Sequence, residues 1–523
     1  MLAELNINFP FSLKTITLTD QKALAACLSI GFLVRVVPEL LAFPLPIGFD
    51  TISYAVVMES GVVWAHWSTF FTSSWLLYAL IVPLYGLFQG DPFLLLKVVA
   101  PLLFGLNVAG IYWFSRKMLG WNMRMGLFAG VFFALQLASL RISWDLLRNT
   151  LGLGILLIAL AYVKDVGSRR GFAVFAVFSL LSVFAHEFAA VTLLVVVLGL
   201  LVWRLVKRQV DSGFKRLAFA SLPALAVFMV GMSLRFFPVS YVTETNVISA
   251  GDGVSGSVGG LFFMLDYLQI RAPVDNYGSY ANLALSVGLL FTVLFLPYLL
   301  LVVKGFFRNG VLDLWTALLI VGAFGCLVVP FFALGFWRRW MFMLAYPFTF
   351  YAVNGFGKLA SKFREGKLRL SSWVFSAAMI LLTFGLGFAY LATPVMMAYA
   401  NTSLPSLSGT YRYFSTSPTV PYEDVESVVQ ALNWLNANLS VASIVILHHA
   451  FLNWGKLVLD NSHKIVYFEN NFVSAVNTAF SNGFSSVFFV WWNEHNGWYG
   501  LNIPEGCVAQ KDFGRISVYE FVG

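Results

Sequence analysis

The sequence predicts a polytopic α-helical membrane protein that carries a small α/β domain after its last span. Three observations lead to that class. Of the 523 residues 59% are hydrophobic and only 11% charged, whereas soluble globular chains carry about 25% charged residues. Apolar runs of the length needed to cross hydrocarbon roughly 30 Å thick, about 20 residues, recur from residue 22 to residue 394. Beyond residue 421 short apolar strands alternate with helical stretches, the pattern of a mostly parallel α/β sheet.

The apolar runs place spans at residues 22–43, 92–115, 124–141, 146–163, 171–185, 188–205, 217–236, 281–303, 312–334, 340–357 and 371–394, eleven in all. A further apolar stretch, 69–88, is read as interfacial helices. Counted as a span it would invert everything after it and put Arg116-Lys117, Arg169-Arg170, Lys207-Arg208, Lys215-Arg216 and Lys358 to Arg369 outside, against the bias of basic residues toward the cytoplasm. Its Trp64, Trp67, Trp75 and Tyr78 suit a membrane-surface belt. The run 171–203 is split at Ala185-His186-Glu187-Phe188, because one overlong helix would bury His186 and Glu187 at its middle. The N-terminus is then cytoplasmic and the C-terminal domain extracytoplasmic, in an integral plasma-membrane protein with no removable signal peptide.

Composition also excludes partners. The formal charge of +8 resides in short clusters between apolar runs, where orientation signals belong, so no nucleic-acid partner is expected. Cys27, Cys326 and Cys507 are far apart and two lie in apolar runs, which leaves no disulfide framework and no cysteine metal site. There is no phosphate-cradling Gly-Lys-Ser/Thr loop, which disfavours direct use of a nucleotide sugar.

With this topology the chemistry-bearing residues share the outer face. Asp50, in Gly48-Phe49-Asp50 just after the first span, is a carboxylate where the chain leaves the bilayer, easily held at a water-filled site. It reads equally well as the N-cap of the helix that follows. Asp145 lies in the Arg141-Ile142-Ser143-Trp144-Asp145-Leu146-Leu147-Arg148 loop, where a local ion pair with Arg141 or Arg148 is the competing reading. His186 and Glu187 form a polar turn between two short spans. Asp50, Asp145, Glu187 and His186 supply groups for general-base chemistry or for a hard divalent cation such as Mg or Mn, with Asp50, Asp145 and Glu187 as its ligands. Arg338 and Arg339, between Trp337 and Trp340, offer guanidinium forks for a phosphate at the membrane edge, or snorkel as interfacial anchors.

This arrangement resembles the GT-C superfamily of membrane glycosyltransferases: an acidic first loop (Gly48-Phe49-Asp50), interfacial helices before span two, a second acidic loop (Asp145), a polar turn between short spans (His186-Glu187), and arginine opening a late span ahead of a proline (Arg338-Arg339 to Pro347). The resemblance covers most of residues 20–400. It implies Asp50 as catalytic base or metal ligand, Asp145, His186 and Glu187 as supporting groups, Arg338 or Arg339 on the donor phosphate, and a polyprenyl(dolichyl)-phosphate sugar as donor. The first loop departs from the pattern in having a lone aspartate rather than an Asp-Glu pair, so substrate class is not transferred.

The domain reading is 1–398 for the GT-C-like catalytic part, 399–421 for a linker and 422–523 for the extracytoplasmic α/β domain. In that domain a helix is expected at 422–438, strands at 442–447, 464–468, 485–491 and 515–521, and helices at 450–460 and 471–481. The carboxyl ends of its strands, where open parallel sheets bind ligands, carry His448-His449 and Trp492-Asn493-Glu494-His495-Asn496, which are otherwise ordinary loop residues of a capping domain. Trp491-Trp492-Asn493 is similar to the Trp-Trp-Asp motif of oligosaccharyltransferases but lacks the aspartate and lies far from the last span. The glycine-rich loop 237–280 reads as a lid over a site or as a plain connection. The expected activity is sugar transfer from a lipid-phosphate donor to an extracytoplasmic glycan, lipid or protein acceptor. The alternatives are oligosaccharyltransferase-like transfer to protein and a transporter or lipid-handling protein without chemistry. For a transporter, Arg35 and Glu39 in span one and Lys97 in span two are the nearest marks, with Glu39 read as a snorkelling helix end.

Overall fold

The computed structural model describes residues 20–60, 67–72, 74–88, 90–236, 247–249, 279–328, 337–366, 370–392, 418–469, 471–493 and 503–522. Most of the glycine-rich loop and of the linker, together with Trp64 and Glu494 to Asn496, lie outside the described residues. Helices occupy all eleven predicted positions. By length and apolarity seven of the described helices qualify as membrane spans, or eight if a bent pair is counted as one. The other three positions hold Leu147–Tyr162, Arg169–Ala185 and Ala345–Arg364, which are shorter or less apolar helices packed into the same bundle. The stretch 69–88 forms two short helices, Thr69–Thr72 and Leu76–Tyr85, rather than one long span.

At the centre stands Pro92–Lys117. It begins sharply because Asp91 accepts the N–H groups of Phe93 and Leu94 at 2.9 and 3.1 Å and Pro92, which has no N–H, takes the first helical turn. The first helix, Asp20–Leu41, lies directly against it where a Cβ on Gly105 would come within 2.6 Å of the Leu28 carbonyl oxygen. In lipid, where apolar side chains gain little by leaving the solvent, such backbone approach is the main source of helix association.

Two interruptions deliver polar residues to one end of the bundle. The predicted span 124–141 is not one helix. Met123–Leu135 and Leu137–Asp145 meet at Gln136 with a bend of 62°. Gln136 Nε2 donates to Thr349 Oγ1 at 2.7 Å and to the Ala345 carbonyl at 3.2 Å, and its Oε1 accepts from the Tyr298 hydroxyl. Polar groups freed by a break inside a membrane must be satisfied by protein, and here the break turns Arg141 and Asp145 toward the first loop. The second interruption is His186, whose extended backbone (φ −166°, ψ 137°) ends Arg169–Ala185 and caps Glu187–Val206.

The C-terminal domain follows the sequence reading closely. Its helix Tyr422–Asn438 precedes β2 (Ser443–His448), the helix His449–Val458, β3 (Ile465–Phe468), the helix Phe472–Ser481, β4 (Ser486–Trp492), β5 (Cys507–Asp512) and β6 (Ile516–Phe521). Two strands were not foreseen: β5, and β1 (Val247–Ser249), which comes from the loop between two membrane helices and pairs parallel to β3. The strand order is β1-β3-β2-β4-β6-β5, parallel from β1 to β4 and antiparallel at β6 and β5. Trp491 and Trp492 belong to the core of this domain, where the Trp492 indole N–H donates to Asp424 at 2.7 Å, which accounts for the tryptophan pair without a ligand.

Candidate functional site

The site begins with the turn that links the first span to the short helix Thr51–Ser60. Gly48 has φ +92°, and a Cβ there would lie 2.4 Å from the Asp145 Cβ. Glycine therefore meets two demands at once, a left-handed backbone and close passage over a neighbouring side chain. The next residue, Phe49, donates its N–H to Asp145 Oδ2 at 3.2 Å. The first outer loop is thus laid onto the end of Leu137–Asp145.

Asp145 is buried and forks onto Arg141, with Nη1 to Oδ1 at 2.6 Å and Nη2 to Oδ2 at 3.4 Å. The local ion pair expected from the sequence is present, with Arg141 rather than Arg148 as its partner, and the same carboxylate also holds the loop. Arg141 lies in turn over the ring of Phe342, 5.6 Å from its centroid.

Asp50 stands at the backbone N-cap position, its carbonyl accepting from Tyr54 N at 3.2 Å. Among the described residues its carboxylate makes no capping bond. It faces Arg339, whose Nη2 lies 3.9 Å from Oδ2, with 37% of the Asp50 side chain and 18% of the Arg339 side chain exposed. This is beyond hydrogen-bond length. Burial among protein atoms, and then the negative charge of Asp145, push the Asp50 carboxyl above the ordinary carboxylate range, while Arg339, Arg148 and Arg141 pull it down. The guanidinium groups of Arg339, Arg148 and Arg141 and the carboxylate of Asp145 all act on Asp50. The two arginines of the sequence motif separate in space: Arg339 turns to Asp50, while Arg338 lies 5.9 Å over the ring of its neighbour Trp337.

His186 and Glu187 are buried beside this cluster. His186 Nδ1 accepts the N–H of Phe188 at 3.1 Å, and burial, the largest cause, pushes its pKa down to about 3, so the ring is neutral. Glu187 accepts from Ser74 Oγ at 2.8 Å and lies 3.7 Å from His186 Nε2. The charge of Arg148 acts on His186, Glu187, Asp50, Tyr54 and Tyr78 together, which makes it a member of the site that the sequence motif contained but did not single out. As metal donors, Asp50, Asp145 and Glu187 are not brought together: no group of three acidic, histidine or cysteine side chains fit to hold a metal gathers among the described residues. Arg141 already balances the charge of Asp145.

Behind the loop lies a charged group that the sequence reading set aside. Arg35, Glu39 and Lys97 are all buried. Glu39 bridges Arg35 Nη2 at 2.8 Å and Lys97 Nζ at 3.2 Å. Lys97 also donates to the Leu45 carbonyl at 2.7 Å, and Arg35 reaches the Ser143 and Trp144 carbonyls at 3.2 and 3.3 Å. Glu39 is therefore a bridged internal anion and not a snorkelling helix end. The set ties the start of the first loop and the end of Leu137–Asp145 to the bundle.

The C-terminal domain closes over the same loop. Ile52 is buried in that domain's core, Asn453 Nδ2 donates to Ser53 Oγ at 2.8 Å, and the rings of Phe49 and His449 stack with centroids 5.7 Å apart and planes 28° apart.

No protein-family model and no curated protein matches the sequence. Among solved structures the chain is similar to the crystal structure of ArnT from Cupriavidus metallidurans bound to undecaprenyl phosphate, with a TM-score of 0.51 and 14% identity over 96% of this chain and 97% of that one. The likeness runs through both the helical bundle and the C-terminal sheet, and at this identity it speaks to fold alone: the protein shares with that structure the fold of a helical membrane bundle with a C-terminal α/β domain.

Proposed function

We propose that the protein is a membrane-embedded glycosyltransferase that moves a sugar from a polyprenyl-phosphate donor to an acceptor on the side of the membrane where its C-terminal domain lies. The observation that carries this reading is the pairing of Asp50 with Arg339. A carboxylate whose pKa is raised above the usual range is a stronger base than an ordinary aspartate. A guanidinium beside it is suited to a phosphate. The similar ArnT structure was obtained with undecaprenyl phosphate bound, which supports a lipid phosphate as the ligand class.

In this reading the acceptor hydroxyl gives its proton to Asp50 as its oxygen forms a bond to the anomeric carbon. The bond from that carbon to the phosphate oxygen breaks, and the electron pair leaves with the polyprenyl phosphate. Arg339 meets the charge that grows on the departing phosphate, an interaction stronger in the transition state than in the ground state. Asp145, His186 and Glu187 support the site through the loop and the helix ends they hold. Residues 1–398 supply the chemistry and 422–523 the cover.

The test is transfer by purified protein in nanodiscs from a panel of polyprenyl-phosphate sugars, with native lipid extracted and identified by mass spectrometry. Transfer that is lost in both Asp50→Asn and Arg339→Gln supports the reading. Full turnover by Asp50→Asn removes the proposed base, and the absence of both transfer and co-purifying lipid phosphate overturns the assignment as an enzyme of this class.

A further inference from the structure

Asp50 makes no side-chain hydrogen bond among the described residues, and its ion-pair partner Arg339 stands 3.9 Å away. Its position is therefore inherited from the residues on either side of it. Toward the bundle, Phe49 is held through its backbone by Asp145. Toward the C-terminal domain, it is held through its ring by His449.

The placement of His449 follows from the local fold. His448 ends β2 and its Nδ1 accepts the N–H of Ala450 at 3.2 Å, so the helix His449–Val458 starts at once, at the carboxyl end of a central parallel strand. His448 is fixed further by a 2.9 Å contact between Nε2 and the Glu469 carbonyl. His449, next in the chain, projects onto Phe49 as a half-buried ring, and burial lowers its pKa so that the stack is between neutral rings. One helical turn on, Asn453 reaches Ser53. The two contacts bracket Asp50, falling on the residue before it and on the first turn after it.

We infer that His449 and Asn453 are positioning residues for Asp50: the C-terminal domain grips Phe49 and Ser53 and thereby holds the Asp50 carboxylate against Arg339. The inference rests on the proposed role of Asp50 only for its effect on transfer. The placement itself is tested without turnover.

The experiment uses full-length protein in nanodiscs as parent, His449→Ala, His449→Phe and Asn453→Ala. Reaction of Asp50 with a hydrophobic carbodiimide is followed by mass spectrometry, beside a thermal melt of each variant. The expected result is a severalfold change in the Asp50 labelling rate in His449→Ala, a smaller change in the same direction in Asn453→Ala, and the parent rate in His449→Phe, which keeps a ring to stack. Should His449→Ala fail to fold, Asn453→Ala decides, since it deletes a single hydrogen bond. Equal labelling in all folded variants overturns the inference even where melting temperatures fall, because a merely structural role would lower stability without moving Asp50. Failure of His449→Phe to restore the rate overturns the stacking role. Where transfer is measurable, kcat should fall about tenfold to a hundredfold in His449→Ala with donor KM unchanged, as misplacement of a reacting group predicts. A parent without transfer on any donor would count against the proposed function and leave the labelling result standing.

Discussion

Arg339 and Asp50, from opposite ends of the helical part of the chain, face each other across 3.9 Å with neither side chain fully closed off from solvent. The gap is beyond hydrogen-bond length, and Arg339 is the arginine of the motif that stands beside this carboxylate. Arg338 is directed to Trp337 instead. Arg339→Gln should therefore weaken donor use more than Arg338→Gln. A hydrogen bond to a charged group contributes about 1.5–3 kcal/mol, so kcat/KM for the donor should fall about tenfold to a hundredfold for Arg339→Gln, chiefly through kcat, and much less for Arg338→Gln. Steady-state kinetics on the two variants checks the order.

Burial and the charge of Asp145 raise the pKa of Asp50. A carboxyl whose folded pKa lies above its unfolded value favours the folded state in its protonated form, and that contribution is lost as pH rises through the folded pKa. Ionised Asp50 is thus a cost to stability at neutral pH. Asp50→Asn should melt no lower than the parent near pH 7.5, and any gain should shrink toward acid pH, while transfer is abolished. The acid limb of the parent's pH-rate profile should lie above the ordinary aspartate range of about 3.9.

Gly48→Ala places a methyl group where the Asp145 Cβ already sits 2.4 Å away, on a backbone of φ +92°. Strain of this kind costs about 1–3 kcal/mol. The variant should melt lower and lose most of its transfer, because the loop that carries Asp50 has to lift from Asp145. A melt together with kcat checks both effects.

Glu39 bridges two buried cations, Arg35 and Lys97. Removing one partner of a buried pair costs about 3–5 kcal/mol because a charge is left uncompensated. Glu39→Gln should therefore be strongly destabilising. Lys97→Met should be milder, since the Arg35–Glu39 pair remains. Thermal melts in one detergent give the comparison.

Orientation is open to a direct labelling test in a background carrying Cys507→Ser. A cysteine at Ser168, beside the basic pair Arg169-Arg170, should resist an impermeant thiol reagent in intact cells. A cysteine at the exposed Ser462 of the C-terminal domain should react. Equal labelling of both would remove the proposed topology.

The sequence by itself determined the elements whose causes are local. The helix start at Pro92, the split at His186 and most of the C-terminal strands were legible because caps, turn residues and apolar periodicity act over a few positions. Strand β2, for instance, is expected at 442–447 and found at Ser443–His448. The edge strands escaped for a physical reason: β5 is largely exposed and carries little apolar pattern, and β1 is three residues from a distant loop that are strands only because β3 offers an edge. A single polar residue, Gln136, inside the apolar run does not by itself call for a bend, which was decided by Tyr298 and Thr349 meeting Gln136 from other helices. The candidate site divides in the same way. Asp50, Asp145, His186, Glu187 and Arg339 were visible as polar or charged groups at the ends of apolar runs. Which of them would meet depended on how the helices rotate and cross, and no local pattern encodes that. Tertiary packing alone selected Arg339 over Arg338, joined Glu39 to Lys97, and brought His449 from the far end of the chain onto Phe49.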